Sequence, residues 1–253
     1  MIAGDAIQIE ALTGIGEIRA GDDLAAVFAP AICAPLRATD VLVVAQKAVS
    51  KAEGRLVRLA DVVVGAKAAE LASAIGKDPR LVELILSEST AVVRTAPNVL
   101  IVRHRLGLVM ANAGIDQSNV EGGEGEAALL LPLDPNGSAA ALRDGLRARL
   151  GAAPAVIVSD SFGRPWRVGT VNVAIGAAGL PSLIDLRGRP DRFGRVLRAS
   201  EVALADAIAA AAGLAMGEAA EGRPAVLVRG LDWTAPERDA SALIRPAEQD
   251  LFR

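Results

Sequence analysis

The segment "PAVIVSDSFGRPWRVG", residues 154–169, decides the fold prediction for this chain. Its first half is an unbroken apolar run rich in β-branched residues, which is typical of a strand buried on both faces. The run ends in Ser159, Asp160 and Ser161 before a Gly-Arg-Pro turn. We therefore expect a sheet whose central strand delivers a carboxylate and two hydroxyls at its carboxyl end, where open sheets bind ligands.

Apolar segments towards both ends of the chain predict further strands. Residues 6–12 and 224–230 have β-like character, and residues 40–46 contain the unbroken run Val-Leu-Val-Val. Between the first two of these segments along the chain, residues 23–34 are predicted to be helical. Asp22 and Asp23 support this helix because they can cap its N-terminus and place negative charge in its first turn.

The central part of the chain is predicted to hold most of the remaining strands, with a hairpin across residues 97–98 (Pro-Asn). Because strands group in the middle and helices lie towards both ends, we expect an α/β protein of mixed α+β type. No linker clearly divides residues 1–253, and the Gly/Glu-rich segment 121–126 is either a weak point or a loop within one domain. The predicted helices are residues 65–76, 79–88, 138–150 and about 200–216; the predicted strands are 91–96, 98–105, 107–113, 126–133 and 168–180; residues 182–199 are predicted to be a functional loop.

The composition excludes several classes of function. A net charge of −3 and an aromatic content of 2% give little with which to attract or stack on nucleic acid, so none is expected as a partner. The longest apolar stretches are Ala-rich and interrupted by charge, so no membrane span is expected. The N-terminus lacks the pattern of a signal peptide, and the expected compartment is the cytoplasm.

Single residues limit the possible chemistry. One histidine, His104, excludes a His-rich metal site, and we interpret it as a structural or supporting residue. One cysteine, Cys33, cannot form an internal disulfide, and we predict that it is a small buried hydrophobic residue. A serine-type triad is therefore possible only through His104.

The first candidate site is the polar run at residues 112–119, directly after an apolar strand. Asp116 offers a hard carboxylate suited to Mg²⁺ or Mn²⁺, Asn119 can hydrogen-bond a base or a phosphate, and Gly114 allows close approach of the backbone. The alternative is a turn whose side chains only satisfy the local backbone.

The second candidate site is the polar end of the 154–169 segment. Since adjacent residues of a strand point in opposite directions, Asp160 and Ser161 could serve two different ions. Arg164 and Arg167 follow and suit anionic oxygens. The alternative is a capped turn with surface arginines.

Three weaker candidates complete the survey. The Arg-rich segment 185–198 suits an anionic substrate or an ion-pair network between subunits. At a helix end, Glu218 and Glu221 lie beside Gly217 and Gly222, and a Glu there is either a ligand or simply solvated. A strand is followed by Gln46, Lys47, Ser50 and Lys51, and a lysine there is either a point charge for a triphosphate or a solvated lysine. No P-loop, dinucleotide-binding glycine motif or H-E-x-x-H motif occurs, so any nucleotide site must be non-standard.

In this order, the motifs "GEIRAGDDL", "VVAQKAVSKAEGR", "GLVMANAGIDQSNV", "VSDSFGRPWRVGTVNVAIG", "DLRGRPDRFGR" and "MGEAAEG" resemble the coenzyme F420 γ-glutamyl ligase family. The resemblance spans about residues 7–231 and concerns the stand-alone form of the enzyme. It implies a two-domain α/β fold that forms an intertwined homodimer with a nucleotide cleft.

The resemblance also implies an activity and its participants. It implies a GTP-dependent ligase that adds L-glutamate to the lactyl carboxylate of coenzyme F420-0 and then adds γ-linked glutamates, through an acyl phosphate and with release of GDP and phosphate. The implied cofactors are two divalent ions, Mg²⁺ or Mn²⁺, with K⁺ as a further candidate. The rivals are a related carboxylate-amine ligase and a non-catalytic module that binds metal and nucleotide.

Site residues follow from the same resemblance. Asp116 and Asp160 are implied as ligands of one divalent ion, and Ser161 and Glu218 as ligands of a second. With Lys51, the two aspartates are the implied catalytic residues. Gln46 and Gly16 depart from the family pattern, which has serine and proline there. The implied nucleotide contacts are Ile15, Gly16, Glu17, Ile18, Gln46, Lys51, Asn119, Met216, Gly217 and Glu218.

Overall fold

The computed structural model describes residues 3–118 and 127–250. Asn119 and the segment 121–126, both singled out in the sequence, lie outside them. The elements, in chain order, are β1 (Ala3–Ala11), α1 (Leu24–Phe28), β2 (Val41–Ala45), α2 (Gln46–Ala52), β3 (Leu56–Arg58), α3 (Ala66–Ile75), α4 (Pro79–Ser87), β4 (Ser89–Ala96), β5 (Val99–His104), β6 (Val109–Ala111), β7 (Ala127–Leu129), α5 (Pro135–Leu150), β8 (Ala155–Arg164), β9 (Arg167–Ala178), β10 (Leu183–Asp185), β11 (Glu201–Ala203), α6 (Leu204–Met216) and β12 (Ala225–Leu231).

A five-stranded sheet of order β1-β12-β2-β8-β9 forms the centre of the fold. β2 and β8 run parallel, and the other neighbouring pairs are antiparallel. Residues 41–44 and 155–158 are all buried, because both faces of the sheet are covered. The mixed α/β character expected from the sequence is confirmed.

The apolar core of the central sheet has two layers, one on each face. Leu42, Val44, Val156 and Val158 face a core shared with α1, α2 and α5. The alternate residues of the same strands pack against α6 on the other face. This alternation explains why the strands read as continuous apolar runs and not as an alternating pattern.

A second core lies within residues 66–115, where α3 and α4 pack on the three-stranded sheet β4-β5-β6. The hairpin predicted across Pro97-Asn98 is confirmed by the pairing of β4 with β5. The predicted helices at 65–76 and 79–88 are confirmed as α3 and α4. The side chain of Asp78 caps α4 by accepting a hydrogen bond from the backbone of Arg80, and Pro79 lies in the first turn.

A buried ion-pair cluster ties this second core to the rest of the chain. Glu88, at the end of α4, lies 2.9 Å from Arg55 Nη2 and 2.9 Å from Arg105 Nε. Arg55 Nε donates to the carbonyl of Leu131, beyond β7. His104 is fully buried, and its Nε2 lies 3.5 Å from Glu88. We name these four side chains, Arg55, Glu88, His104 and Arg105, the Glu88 cluster.

Several sequence predictions need correction. The helix predicted for 23–34 ends at Phe28 and continues only as a 3-10 turn over Ala29–Ala31, because Pro30 cannot extend an α-helix. Cys33 is exposed, not buried, since it follows this turn. The helix predicted to begin near residue 200 begins at Leu204, because the residues before it pair as β11.

The loop predicted over 182–199 also needs revision, since its first part forms β10. The remainder is irregular, with an isolated bridge between Pro190 and Val196. None of the helices formed by residues 3–118 and 127–250 combines the length and apolar character needed to cross a membrane.

Candidate active site

A cleft of about 1380 Å³ opens where β2 and β8 leave the central sheet. It receives polar side chains from distant parts of the chain and therefore brings the separate sequence motifs together. The lining residues are Ile15, Gly16, Glu17, Ile18, Ala45, Gln46, Lys47, Ala48, Lys51, Met110, Ala111, Gly114, Ile115, Asp116, Gln117, Ser118, Ser159, Asp160, Ser161, Phe162, Gly163, Thr170, Asn172, Met216, Gly217, Glu218, Ala219, Ala220, Glu221, Gly222, Arg223 and Pro224.

Asp160 lies at the floor of the cleft because β8 extends beyond the end of its parallel neighbour, β2. Ala45, the last residue of β2, is opposite Ser159, and the chain turns into α2 at Gln46. The prediction that β8 ends near Asp160 was wrong, since β8 continues in an antiparallel arm with β9 as far as Arg164. Asp160 is therefore a strand residue just beyond the parallel pair.

The environment of Asp160 favours a bound cation. The pKa of this carboxyl is raised to about 7, chiefly by burial. The carboxylates of Asp116 and Glu218 also raise it, whereas the backbone hydrogen bond from Ser161 and the charge of Lys47 act against the increase. A carboxylate placed near two others is stabilised by a cation between them, since positive charge removes both the burial penalty and the mutual repulsion.

Asp116 reaches the cleft from a strained turn after β6. Asn112, Ala113 and Gly114 all have positive φ, and Asn112 Oδ1 accepts from the backbone of Leu100, which holds the turn. A bridge to Leu129 of β7 then fixes the backbone of Asp116. The expected use of glycine at 114 agrees with its φ of +65° and with the side chains of Met110 and Leu131 that a Cβ atom would meet.

The carboxylate of Asp116 has two partners. Its Oδ2 lies 2.6 Å from Lys47 Nζ, and its Oδ1 accepts a 2.7 Å hydrogen bond from the backbone of Ser118. Burial acts to raise the pKa of Asp116, but the bonds from Lys47 and Ser118 outweigh it and lower that pKa below its ordinary value. The local turn bond that the sequence suggested as an alternative to a ligand role is therefore present, from Ser118 to Asp116. Asp116 also has a long-range contact with Lys47.

Glu218 enters the cleft from the loop after α6. Ser161 Oγ donates to its Oε2 at 2.7 Å, and Asn172 Nδ2 donates to its Oε1 at 2.7 Å. Ser161 and Asn172 are paired across β8 and β9, so the arm presents both donors together. Gly217, with a φ of +80°, gives the chain its turn out of the helix.

Lysine and amide side chains of α2 line the opposite wall. Lys51 is ion-paired with Glu17 from the loop after β1. Gln46 is buried, and its Oε1 accepts a 2.9 Å hydrogen bond from Ser50. A bond to the carboxamide oxygen orients Gln46, so its amide nitrogen remains available to a ligand.

The sequence of this chain matches those of known proteins. The family model described as F420-0:Gamma-glutamyl ligase matches residues 14–230. The chain belongs to this family. It is 45% identical over 254 residues to the coenzyme F420:L-glutamate ligase of Methanopyrus kandleri, with 98% of each chain covered. It is 42% identical over 252 residues to the protein of the same name from Methanothermobacter thermautotrophicus, with 98% of this chain and 99% of the relative covered.

The family resemblance inferred from the sequence is thus confirmed. The protein of the same name from Haloarcula marismortui is also 41% identical over 253 residues, covering 98% of this chain and 96% of that one. The chain is a ligase of this family over nearly its whole length. The departures Gly16 and Gln46 both line the cleft, and a Cβ at Gly16 would meet no atom within 4 Å.

The sequence analysis missed one cleft residue, Asn172, and did not predict the contacts or burial of two others, Lys47 and Ser159. Lys47 was named with Lys51 as a possible charge for a triphosphate, but its contact with Asp116 was not predicted. Asn172 interrupts an apolar strand, and that interruption was the available signal. Ser159 was noted only as part of the polar end of β8; its hydroxyl is buried and, within the described residues, has no hydrogen-bond partner, although it lines the cleft.

The arginines have a different distribution from the acids. Within the described residues, those of the segment 185–198 do not line the cleft, and Arg187 is ion-paired with Asp185 and Glu201. Arg164 and Arg167 flank the turn at the tip of the β8–β9 arm, where the exposed Trp166 lies.

The cleft's donor set fits hard divalent cations. Its carboxylates, hydroxyl and amide are oxygen donors of the type that Mg²⁺ and Mn²⁺ prefer. In the ranges 3–118 and 127–250 no three His, Cys, Asp or Glu side chains are grouped so that they could hold a metal ion. Asp116 and Glu218 are instead held by Lys47, Ser161 and Asn172.

Proposed function

We propose that this protein is a GTP-dependent ligase that adds L-glutamate to the lactyl carboxylate of coenzyme F420-0 and then adds γ-linked glutamates. Nearly full-length similarity to proteins named coenzyme F420:L-glutamate ligase supports the choice of both substrates, the deazaflavin carboxylate and the amino group of L-glutamate. The single observation that carries the mechanism is the one cleft in which Asp116, Asp160 and Glu218 face Lys47 and Lys51. Acids to hold cations and lysines to hold phosphates are what transfer of a phosphoryl group requires.

The nucleotide is proposed to lie between the two loops that line the cleft. Residues 15–18 form one side, and Met216 and Gly217 with Glu218 form the other. Lys51 offers a point charge to the phosphates, and the carboxamide of Gln46 offers a donor whose direction Ser50 fixes. Asn119 remains a proposed contact outside the described residues.

Divalent ions are proposed to be held in two places. Asp116 and Asp160 would hold one Mg²⁺ or Mn²⁺, and Ser161 and Glu218 would hold the second, with Asn172 orienting Glu218. Such ions supply neutralisation of negative charge on the triphosphate. K⁺ is a further proposed activator, to which no described residue is assigned.

The reaction is proposed to proceed through an acyl phosphate. A carboxylate oxygen of the deazaflavin attacks the γ-phosphorus, and the bond from that phosphorus to GDP breaks. The amino nitrogen of glutamate then attacks the acyl carbon, a C–N bond forms, phosphate leaves with the C–O bonding electrons, and the ammonium proton is lost. The protein's part is to position these groups and to exclude water, so no covalent nucleophile is needed.

The assembly remains a proposal as well. The two core regions on the central sheet and on β4-β5-β6 support a two-domain chain, with the Glu88 cluster between them. The exposed apolar residues Trp166 and Phe193, beside arginines, support the intertwined homodimer that the resemblance implies.

One assay tests the proposed function. The protein is incubated with coenzyme F420-0, L-glutamate, a divalent salt and either GTP or ATP, and products are identified by mass. We expect addition of one or more glutamates with GTP and stoichiometric release of phosphate. Asp160→Asn is expected to lower turnover by about 100-fold or more while retaining the fold. Nucleotide binding without phosphate release in the presence of all substrates would instead favour a non-catalytic module.

A further inference from the structure

Lys47 makes a contact that its position in α2 does not explain. It is the second residue of the helix, where a positive charge is unfavourable next to the positive end of the helix dipole. Its ammonium nevertheless lies 2.6 Å from Asp116 Oδ2 and 2.8 Å from Ser118 Oγ. Lysine in this place therefore serves the cleft and not the stability of the helix.

The ammonium lies within electrostatic reach of both aspartates. Burial raises the pKa of Asp160, and the positive charge of Lys47 acts against that increase. Both Lys47 and Asp116 have side chains that are 31% exposed, so each can change partner without opening the core. Lys47 thus supplies one positive charge to a group of three carboxylates.

A divalent ion on Asp116 and this ion pair exclude each other. An ion coordinated by Asp116 Oδ2 would occupy the space that Lys47 Nζ holds at 2.6 Å, and the two positive charges would repel each other. Lys47 must then move, and the phosphate oxygens of the proposed nucleotide would be its next partner. Ion binding and nucleotide binding would be coupled through a single side chain.

We propose that Lys47 is an internal counter-ion that competes with the divalent ion for Asp116 and is transferred to the nucleotide phosphates when the ion binds. This inference rests on the proposed function, because it takes from it the ion at Asp116 and the nucleotide in the cleft. Lys47 acts here as a positioning residue, and its effect is on the order and strength of ligand binding.

Binding of Mn²⁺ alone tests the competition. Free Mn²⁺ is measured by electron paramagnetic resonance in titrations of the wild-type protein, Lys47→Met, Lys47→Gln and Asp160→Asn after removal of metal by a chelator. Lys67→Met is the matched control, because Lys67 is an exposed lysine on α3 and its loss changes the net charge equally. Circular dichroism checks that each variant is folded, and Lys47→Gln repeats the test with a polar side chain.

We expect Mn²⁺ to bind Lys47→Met about fivefold more tightly than it binds the wild-type protein, since an exposed ion pair of this kind contributes roughly that factor. The affinity of Lys67→Met should be unchanged. GDP should tighten Mn²⁺ binding in the wild-type protein, and this coupling should shrink in Lys47→Met.

Two failures of this test are distinguishable. Equal or weaker Mn²⁺ binding by both Lys47 variants, with binding that still depends on Asp160, overturns the role of Lys47 and leaves the ligase proposal standing. If Asp160→Asn binds Mn²⁺ as tightly as the wild-type protein does, the ion assignment of the proposed function is wrong. The inference about Lys47 is then wrong as well.

Discussion

Ser161 Oγ donates a 2.7 Å hydrogen bond to Glu218 Oε2, which joins two residues 57 positions apart in the chain. The bond connects the β8–β9 arm to the loop after α6 and closes one side of the cleft. Since a hydroxyl and a carboxylate can both ligate a hard cation, this contact marks the place of the second proposed ion.

The first prediction concerns the number of ions bound. Glu218→Gln retains the shape of the side chain but removes its charge, so the variant is expected to bind one Mn²⁺ where the wild-type protein binds two. Turnover should fall about 100-fold because charge on the triphosphate is no longer neutralised. Equilibrium dialysis with Mn²⁺ measures the stoichiometry. Glu70→Gln, at an exposed position of α3, is the control, and two ions on Glu218→Gln would refute the assignment.

The second prediction concerns a glycine in the middle of α6. Glycine costs a helix about 1 kcal/mol relative to alanine, so Gly213 needs a reason for its presence. A Cβ there would lie 2.5 Å from Asn172 Nδ2, the atom that donates to Glu218. Gly213→Ala is expected to displace Asn172 and to weaken Mn²⁺ binding by about tenfold, which is typical when a group that orients a ligand is lost.

A double-mutant cycle with Asn172→Ala checks this prediction. If Gly213 acts through Asn172, then Gly213→Ala should add little to the defect of Asn172→Ala. Leu214→Ala changes the next residue of the same helix, which is 88% exposed, and should leave Mn²⁺ binding unchanged. Additive effects of the two changes would show that Gly213 acts by another route.

The fold was largely predictable where local patterns and tertiary packing agree. The apolar runs of β2 and β8 and the Pro97-Asn98 hairpin could be identified because burial and turn chemistry depend on nearby residues. The length of β8 could not, since its extension beyond Val158 depends on antiparallel pairing with β9. The burial of Cys33 was wrongly predicted because the helix was expected to include this residue. Instead α1 ends at Phe28, and Cys33 is exposed.

The candidate site was predictable as a set of residues but not as a set of contacts. The candidate ligands Asp116 and Asp160 stand out because each carboxylate follows an apolar strand, where open sheets bind ligands. The pairing of Lys47 with Asp116 spans two distant segments, and nothing in either segment specifies the other. Asn172 escaped notice because a lone amide in a strand is more often a structural partner than a functional one.

The third prediction separates two residues of the proposed nucleotide site. Lys51→Met should weaken GDP binding by about tenfold or more, because a point charge against the phosphates is lost. Glu17 is ion-paired with Lys51, so Glu17→Gln should free the lysine and tighten GDP binding severalfold. Isothermal titration with GDP and Mn²⁺ measures both. Weaker binding by Glu17→Gln would mean that Glu17 itself contacts the nucleotide.

The fourth prediction concerns pH and the Glu88 cluster. Burial acts to raise the pKa of Glu88, but the contacts with His104, Arg55 and Arg105 outweigh it and lower the pKa from 4.5 to about 2. Since the folded-state value is below the unfolded one, the ionised carboxylate stabilises the fold at neutral pH. This contribution is lost as the pH falls from about 4.5 towards 2. Glu88→Gln should therefore lower the free energy of unfolding by about 2–4 kcal/mol at pH 7.

Urea unfolding at pH 7 and at pH 3 measures this effect. The difference between the wild-type protein and Glu88→Gln should shrink at pH 3, because the wild-type protein loses its charge stabilisation there and the variant has none to lose. Glu70→Gln, with an exposed carboxylate, should give no comparable difference at either pH. If Glu88→Gln is equally destabilised at both pH values, the cluster stabilises the fold by its packing and neutral hydrogen bonds, and the second core is not held to the central sheet by charge.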